Sequence, residues 1–558
     1  MLGKIFSGPS LKGDVCLPNP AATAESSPSV QMLLVILRQG SANYNDPMSK
    51  VANRYERETN AFLSIRHLAD QAFSRAAGAP LIAGNNVRLL LDAKENYPAW
   101  LEAIDQAERY IHFESYIIHE DEVGWTFADA LIAKARQGVR VRVIYDWLGG
   151  LGKTSRSYWN YLRAGGVDVR CYNAPRLDSP FGWLSRDHRK TITVDGEIGF
   201  VTGLCVGRMW VGVPEKKIDP WRDTGIEVRG PSVANIEQAF ARVWDITGDR
   251  LPPDEIARYE NEPKTGGVTL RVVPSEPASA VMLRVDQLVA TLARERLWLT
   301  DAYYAGTTLY VQALRAAAKD GVDVRLLVPS ASDIPIVRPL SRSGYRPLLD
   351  AGVRIFEWNG TMLHAKTAVA DGTWARVGST NLNLASWYGN LELDVVVEDV
   401  PFAKLMEETY LRDLENSTEI VLDARRKVRA PKHQGKSHPA MTSGGGTGGR
   451  AAAGAIRIGN AVGAAFTNRR VLEPVEGRLM VIVGALLLFL AILGWSFPRA
   501  LAYPLILFLG WTALALIYRG CKLWMEGRRK SAPDQDAAAS ETRTDAAVAA
   551  PVTKERVK

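Results

Sequence analysis

The chain has 558 residues, 47% hydrophobic and 23% charged, so it is long enough for several globular domains and too apolar to be disordered throughout. Its formal net charge of +7 favours an anionic partner, either nucleic acid or an anionic membrane, and composition leaves both open. Four widely spaced cysteines, Cys16, Cys171, Cys205 and Cys521, contain no CxxC pair, which argues against a disulfide framework or a zinc site.

Residues 1–80 are predicted to be an extension of the folded body. Residues 1–31 are rich in Pro, Ser, Gly and Ala, a composition typical of disorder, and residues 46–77 have a helical pattern. The apolar run 32–37 is too short to span a bilayer and follows no basic segment, so we predict no secretion signal.

Two stretches, 81–250 and 267–423, alternate strands and helices in the same order. The predicted strands are 87–91, 110–118 and 139–146 in the first stretch, then 268–273, 297–304 and 322–328 in the second. The predicted helices are 97–109 and 126–137, then 280–294 and 310–319. This alternation predicts an α/β fold with a mixed or parallel sheet. Two homologous lobes then face each other about a pseudo-two-fold axis.

Each repeat carries the pattern H-x-K-x4-D. Its residues are His188, Lys190 and Asp195 in the first repeat and His364, Lys366 and Asp371 in the second. Residues two apart in a strand point to one face, so each His and Lys should project together before the Asp-Gly turn. Two imidazoles and two ammonium groups make a cationic pocket suited to a phosphodiester. One imidazole would attack phosphorus, the other would protonate the leaving alkoxide, and the lysines would hold the non-bridging oxygens. We expect no metal and no cofactor, because no carboxylate cluster accompanies the motifs.

With their continuations, these motifs resemble the phospholipase D superfamily, whose pattern is HxK(x)4D(x)6GSxN. The second copy continues to Gly378-Ser379-Thr380-Asn381 and fits throughout. The first continues to Thr202-Gly203-Leu204-Cys205, which puts Cys205 where the family has Asn. The resemblance covers roughly residues 85–423 and is greatest to bacterial cardiolipin synthase-like proteins. It implies that His188 is the nucleophile and His364 the acid.

Other residues are candidates for supporting roles. Trp221-Arg222-Asp223 resembles the W-R-D segment of the family, and Asn390-Leu391-Glu392 its N-x-E segment. Asp223 and Glu392 could therefore orient the two imidazoles; the alternative is a core tryptophan followed by a surface Arg–Asp pair. The remaining candidates are Ser379 and Asn381 to line the pocket, Asp195 and Asp371 to support the motif fold, and Glu114 if the inferred strand order is right.

The C-terminal part is predicted to reach a membrane. Residues 424–470 form a basic and Gly-rich linker, which is either a solvated tether or a patch for anionic headgroups. Two uncharged apolar runs, 479–497 and 500–518, predict a transmembrane helical hairpin within 475–526. Basic flanks predict both termini in the cytoplasm. The alternative is a hairpin buried in a soluble domain. Residues 527–558 are predicted to be a disordered tail.

Together, the resemblance and the apolar runs imply a phosphatidyltransferase of the bacterial inner membrane, with two C-terminal spans and a cytoplasmic catalytic domain. Its substrate would be an anionic phospholipid such as phosphatidylglycerol. A phosphatidyl group would pass from one molecule to the hydroxyl of a second through a phosphohistidine, giving cardiolipin and glycerol. The alternatives are a phospholipase D hydrolase that releases phosphatidic acid, a nuclease of the same superfamily, and a non-catalytic membrane scaffold. The membrane anchor disfavours a nucleic-acid partner, and Cys205 is the main reason to consider the scaffold.

Overall fold

The computed structural model describes residues 70–175, 184–260, 262–334, 337–422, 428–429 and 474–530. The chain divides into two compact units, Met1–Phe73 and Ser74–Lys558. The helix predicted at 46–77 is described from residue 70 and continues to residue 77. The predictions for residues 1–69, for 424–427 and 430–470 of the linker, and for the tail from 531 lie outside the described residues. Within the predicted linker, Val428–Arg429 form a short strand, and residues 527–530 of the predicted disordered tail are helical.

Sixteen strands of the described chain form one mixed sheet. In the first lobe they are β1 (Ile82–Leu91), β2 (Tyr110–Ser115), β3 (Arg140–Asp146), β4 (Asp168–Tyr172), β5 (Lys190–Val194), β6 (Ile198–Thr202) and β7 (Thr224–Arg229). In the second they are β8 (Val268–Ser275), β9 (Arg296–Thr300), β10 (Asp323–Pro329), β11 (Arg354–Trp358), β12 (Thr367–Ala370), β13 (Trp374–Gly378), β14 (Glu392–Glu398), β15 (Ser417–Leu422) and β16 (Val428–Arg429).

The strand order repeats outward from the centre of the sheet. The central strands β1 and β8 pair antiparallel. Outward from β1 come β7, β6, β5, β2, β3 and β4, and outward from β8 come β14, β13, β12, β9, β10 and β11. Within each lobe only the last three strands run parallel to one another. The predicted α/β fold of two homologous lobes is confirmed, and β15 and β16 extend the second lobe.

The helices of the lobes connect these strands. In the first lobe they are α1 (Asp92–Gln106), α2 (Glu122–Arg136), α3 (Trp147–Gly150), α4 (Arg156–Ala164), α5 (Arg208–Val211) and α6 (Val233–Thr247). In the second they are α7 (Val281–Leu292), α8 (Thr308–Lys319), α9 (Val337–Ser343), α10 (Arg346–Leu349) and α11 (Val400–Glu415). Helix α2 begins before the predicted residue 126 because the Asp121 carboxylate caps it, accepting N–H bonds from Val123 and Gly124 at 3.1 and 3.0 Å.

The strand predicted at 110–118 ends at Ser115 because the chain then leaves the β ladder. Tyr116 donates its N–H to the Arg189 carbonyl at 3.2 Å, and the Ile117 carbonyl accepts from Val206 at 3.2 Å. Residues 116–118 thus become part of the edge of the sheet where the H-x-K motifs lie.

Apolar side chains from both lobes share one core at the centre of the sheet. Val201 and Ile226 of the first lobe belong to the same buried cluster as Val377 and Val395 of the second. Burial of one such side chain contributes about 1.5–3 kcal/mol. The two lobes are therefore one packed body, which fixes the two H-x-K segments relative to each other.

Two consecutive helices, α12 (Pro474–Ser496) and α13 (Pro498–Lys530), form the C-terminal part, with the break at Phe497. Apart from Phe497, the two helices contain the predicted apolar runs 479–497 and 500–518, and α13 continues well past the end of the second run. Among the described residues one stretch, Ala502–Lys522 with a mean hydropathy of 1.5, is long and apolar enough to cross a bilayer. The predicted hairpin with two spans stays a prediction.

Candidate active site

The first motif begins at a contact between the lobes. The His188 N–H donates to the Leu391 carbonyl at 2.9 Å, and Asp187 forms a parallel bridge with Leu391. Strand β5 therefore starts only at Lys190. The prediction that the strand already contains His188 was wrong, because the backbone of His188 pairs with the other lobe.

The second motif repeats this arrangement with the lobes exchanged. The His364 N–H donates to the Arg222 carbonyl at 2.7 Å, and the Arg222 N–H donates to the Met362 carbonyl at 2.9 Å. Strand β12 starts at Thr367, so the predicted strand position of His364 and Lys366 was also wrong. Each histidine thus lies on a short connection that the opposite lobe holds in place.

The two imidazoles are bound by carboxylates in a crossed pattern. Nδ1 of His188 lies 2.9 Å from Oε2 of Glu392, in the second lobe. Nδ1 of His364 lies 2.7 Å from Oδ2 of Asp223, in the first lobe. A bond at Nδ1 fixes the ring orientation and leaves Nε2 for chemistry. Each lobe therefore holds the histidine of one pair and the carboxylate of the other.

The lysines of the motifs are buried beside their histidines. Lys190 Nζ donates to the carbonyl of His188, and Lys366 Nζ donates to the carbonyl of His364. Lys366 Nζ also lies 3.0 and 3.1 Å from the two ring nitrogens of His364. Each motif thus places an ammonium group next to its histidine, where it can bind an anionic group.

Burial controls the protonation of the imidazoles. Burial lowers the pKa of His188, and burial together with the Lys366 charge lowers the pKa of His364 to about 3. Burial opposes ionisation of Glu392 and Asp223, but their imidazole partners and the nearby lysines lower the pKa of both carboxyls. The unliganded site therefore contains neutral imidazoles and ionised carboxylates at neutral pH.

The aspartates of the motifs face away from this pocket. The Asp195 carboxylate accepts the backbone N–H groups of residues 108–110 at 2.7–2.8 Å. The Asp371 carboxylate accepts those of residues 294–296 at 2.9 Å. Both residues adopt positive φ, 55° and 50°. They hold the turns that lead into β2 and β9.

Ser379 and Asn381, which were predicted to line the pocket, differ in their hydrogen bonds. Ser379 is fully buried, and its hydroxyl accepts the Leu393 N–H at 3.0 Å, so it supports β14 next to Glu392. Asn381 is 3% exposed, and its side-chain oxygen has no hydrogen-bond partner among the described residues. An unsatisfied buried acceptor is available to a ligand that carries a donor.

Glu114 and Cys205 both lie in the first lobe. The Thr191 hydroxyl donates to Oε2 of Glu114 at 3.0 Å, so Glu114 lies on β2 directly beside β5. Cys205 is buried among apolar and aromatic residues, and burial raises the pKa of its thiol. The position of the family asparagine is thus occupied by a neutral, weakly polar group.

Sequence reasoning named Trp221 as part of the W-R-D segment but missed that four aromatic rings enclose the imidazoles. The Tyr116 ring lies edge-on to His188, with centroids 5.0 Å apart. Around His364 lie Trp210, Trp221 and Tyr303, at 5.6–5.7 Å. The position of Tyr116 and Tyr303 after the ends of β2 and β9 could have indicated two of these four rings. Trp210 lies in a short helix with no such signal.

Comparison with known proteins agrees with this geometry. The family described as "Cardiolipin synthase, PLD-like domain" matches residues 100–244 and 289–414, one segment in each lobe. A cardiolipin synthase of Alkalihalophilus pseudofirmus is 32% identical over 345 residues, 61% of this chain and 68% of that protein. Cardiolipin synthase A of Pseudomonas aeruginosa is 35% identical over 365 residues, covering 64% of this chain and 73% of that protein.

A solved structure shows the same fold. The crystal structure of phosphatidylserine synthase from Haemophilus influenzae superposes with a TM-score of 0.50 at 14% identity, over 70% of this chain and 98% of that one. At this identity the likeness concerns the fold alone.

Proposed function

Because the chain belongs to the phospholipase D-like cardiolipin synthase family and is a phosphatidyltransferase of that type, we propose that it makes cardiolipin. Its substrate is an anionic phospholipid, phosphatidylglycerol, used twice. The phosphatidyl group of one molecule passes to a hydroxyl of a second, and glycerol leaves. The observation that supports this most directly is the crossed pair of histidine–carboxylate contacts, at 2.9 and 2.7 Å.

The first half-reaction forms a covalent intermediate. Nε2 of His188 attacks phosphorus, the bond from phosphorus to the glycerol oxygen breaks, and His364 donates a proton to that oxygen. In the second half-reaction a hydroxyl of the second phosphatidylglycerol attacks phosphorus. His364 removes its proton, the bond from phosphorus to Nε2 breaks, and His188 becomes neutral again. No proton is gained or lost over the cycle.

The carboxylates bound to the two imidazoles support this division of roles. Glu392 accepts a hydrogen bond from Nδ1–H of His188, so Nε2 carries a lone pair and can attack. Asp223 faces Nδ1 of His364 and stabilises the imidazolium that proton transfer requires. Since burial keeps His364 neutral in the unliganded site, the negative charge of the bound phosphodiester must raise its pKa.

The lysines and small polar groups act on the phosphate itself. Lys190 and Lys366 supply the positive charge for its non-bridging oxygens. Asn381, with its unsatisfied side-chain oxygen, is available to a substrate hydroxyl. The Asp195 and Asp371 carboxylates accept backbone N–H groups, which supports a role in the fold of the motifs.

The C-terminal helices would keep this pocket at a membrane. Leu507 and Leu514 of α13 are 73% and 69% exposed, which suits contact with lipid. We propose that α12 and α13 form a hairpin of two spans in the inner membrane with both ends in the cytoplasm, since Arg499 is the single charge between the apolar runs. The catalytic lobes then face the cytoplasmic leaflet.

A labelled-lipid assay tests the proposal. The full-length protein in detergent, incubated with phosphatidylglycerol labelled in the phosphatidyl group, should release glycerol and form labelled cardiolipin. Acid quenching should trap label on the protein. His188→Ala should abolish this label, whereas His364→Ala should slow turnover at least 100-fold. His119→Gln, outside the paired motifs, serves as the control.

Other outcomes of the assay would support the alternative functions. Phosphatidic acid alone would mean that water resolves the intermediate, and cleavage of oligonucleotides would indicate a nuclease. Absence of all turnover would favour a scaffold. Label that persists in His188→Ala would disprove the nucleophile assignment.

A further inference from the structure

Arg222 lies between two residues that contact His364, namely Trp221 and Asp223. The alternative that Arg222 and Asp223 form a surface pair was wrong, because Arg222 is 8% exposed and Asp223 is fully buried. A buried guanidinium requires several acceptors. The acceptors that bind the Arg222 guanidinium come from both lobes.

The Arg222 side chain joins the two lobes. Its Nε and Nη2 donate to the two carboxylate oxygens of Asp413, at 2.9 and 3.0 Å. Its Nη1 donates to Oδ1 of Asp92 at 3.2 Å. Asp413 belongs to α11 of the second lobe, and Asp92 begins α1 of the first. The two-pronged contact with Asp413 uses the planar geometry of a guanidinium, which an ammonium group lacks.

The same residue fixes the carboxylate that binds His364. Arg222 Nη1 donates to the carbonyl of Asp223 and to the hydroxyl of Thr224, the latter at 3.0 Å. The Asp223 N–H donates to Oδ1 of Asp92 at 2.8 Å, and the Arg222 carbonyl accepts the His364 N–H at 2.7 Å. The backbone on both sides of the Asp223–His364 contact is therefore attached to Arg222 or to its partner.

The position that matches Arg222 in the other half of the site is not charged. Leu391 occupies the matching position, and its carbonyl accepts the His188 N–H at 2.9 Å. Two guanidinium groups lie nearby. Arg189 donates to the carbonyls of Ala239 and Glu392 at 2.9 and 3.2 Å, and Arg186 donates to Oδ1 of Asp146 at 3.1 Å. Among the described residues, Arg186 and Arg189 of the His188 half interact with carboxylates of their own lobe, whereas Arg222 pairs with carboxylates of both lobes.

We infer that Arg222 is a positioning residue: it joins Asp413 of one lobe to Asp92 of the other and thereby holds Asp223 in line with Nδ1 of His364. The inference rests on the proposed role of His364 in proton transfer. It goes beyond that role, because it makes the orientation of the acid depend on a contact between the lobes.

The charged groups that face His364 are few. Asp223 binds it at Nδ1, Lys366 lies against its ring, and Lys190 acts across the pocket. The Tyr303 ring closes one side. Arg222 stands behind Asp223 and does not contact the imidazole, so its influence on His364 is electrostatic and positional.

Removal of the Arg222 charge should change the pKa of His364 in a defined direction. Without it, the partly buried carboxylates of Asp92 and Asp413 have no guanidinium between them. The more negative potential favours the imidazolium form, so the pKa of His364 rises. Arg222→Lys keeps the charge but loses the two-pronged contact, so geometry changes while the pKa of His364 does not.

The test uses the full-length protein in detergent with phosphatidylglycerol as substrate. Arg222→Met should lower kcat about 100-fold with less than a threefold change in KM. It should also shift the alkaline limb of the rate profile, where the acid His364 loses its proton, upward by about one pH unit. Arg222→Lys should recover about tenfold of the lost kcat and restore the wild-type limb. The ring resonance of His364 reports its titration directly, and its loss in His364→Asn assigns it among the seven histidines.

Arg142→Met is the matched control. Arg142 also forms a two-pronged contact with a buried carboxylate, donating to Oε1 of Glu255 at 2.7 Å, but within one lobe. It should lower stability without moving the His364 titration. Wild-type kcat and titration in Arg222→Lys and Arg222→Met would overturn the inference, and if the Met variant does not fold, an unchanged kcat in Arg222→Lys does so. An inactive wild type would instead refute the proposed function, while the His364 titration still tests the electrostatic effect of Arg222.

Discussion

At the scale of single residues, the site depends on groups that burial has moved away from their ordinary protonation. His364 is 5% exposed, and its pKa is lowered to about 3 from 6.5. Between these pH values the unfolded chain binds a proton at this histidine that the folded chain does not. The free energy of unfolding therefore falls as the pH drops below about 6.5.

This loss of stability at low pH should be smaller in the variant His364→Asn. The asparagine amide can still donate to Asp223, but it does not titrate. We expect the loss of unfolding free energy between pH 7.5 and pH 5 to be smaller in the variant by about 2 kcal/mol. Urea titrations of both proteins at the two pH values measure it, and equal losses would contradict the lowered pKa of His364.

At the scale of elements, each motif aspartate determines where a strand begins. Asp371 gathers three N–H groups before β9 and has a positive φ of 50°. Asp371→Ala removes these acceptors and should lower the free energy of unfolding by about 3 kcal/mol. Asp350→Ala is the control, because Asp350 is 41% exposed and its pair with Arg346 spans 3.7 Å.

Thermal unfolding of the two variants checks this prediction. We expect a clear decrease in Tm for Asp371→Ala and a change near zero for Asp350→Ala. A similar small change in both would mean that the turn before β9 does not need the carboxylate.

The sequence predicted the type and order of these elements better than their ends. The strand predicted at 139–146 is observed at Arg140–Asp146, and the helix predicted at 310–319 at Thr308–Lys319. Periodic burial determines such elements locally. The ends depend on caps and on contacts with distant segments, as at Asp121 and Tyr116. The motif strands were predicted two or three residues too long at the start for the same reason.

At the scale of the whole molecule, the catalytic lobes and the C-terminal helices should be separable. A chain that ends at residue 473 lacks α12 and α13. We expect it to fold, to convert detergent-solubilised phosphatidylglycerol, and to leave the membrane fraction, because the sheet and its core lie before residue 430. Fractionation of cells that express either form, with activity measured in each fraction, tests this. Continued recovery with membranes would show that the lobes themselves bind lipid.

The histidine–lysine pairs could be predicted from the sequence because the motif repeats, and Asp223 and Glu392 because their segments resemble those of a family. Their crossed assignment could not. The His188–Glu392 and His364–Asp223 pairs are separated by 204 and 141 residues in the chain. The packing of the two lobes brings them together, through the β1–β8 pairing, the shared core and the bridges at Asp187 and Arg222. The role of Arg222 was hidden for the same reason, since Asp413 lies 191 residues away.

The exchange of carboxylates between halves removes the redundancy that duplication normally provides. Neither half retains a complete acid–base unit of its own, so a lesion in one cannot be covered by its twin. The two halves are therefore interdependent: a substitution of Glu392 or Asp223 alters the surroundings of an imidazole that belongs to the opposite half.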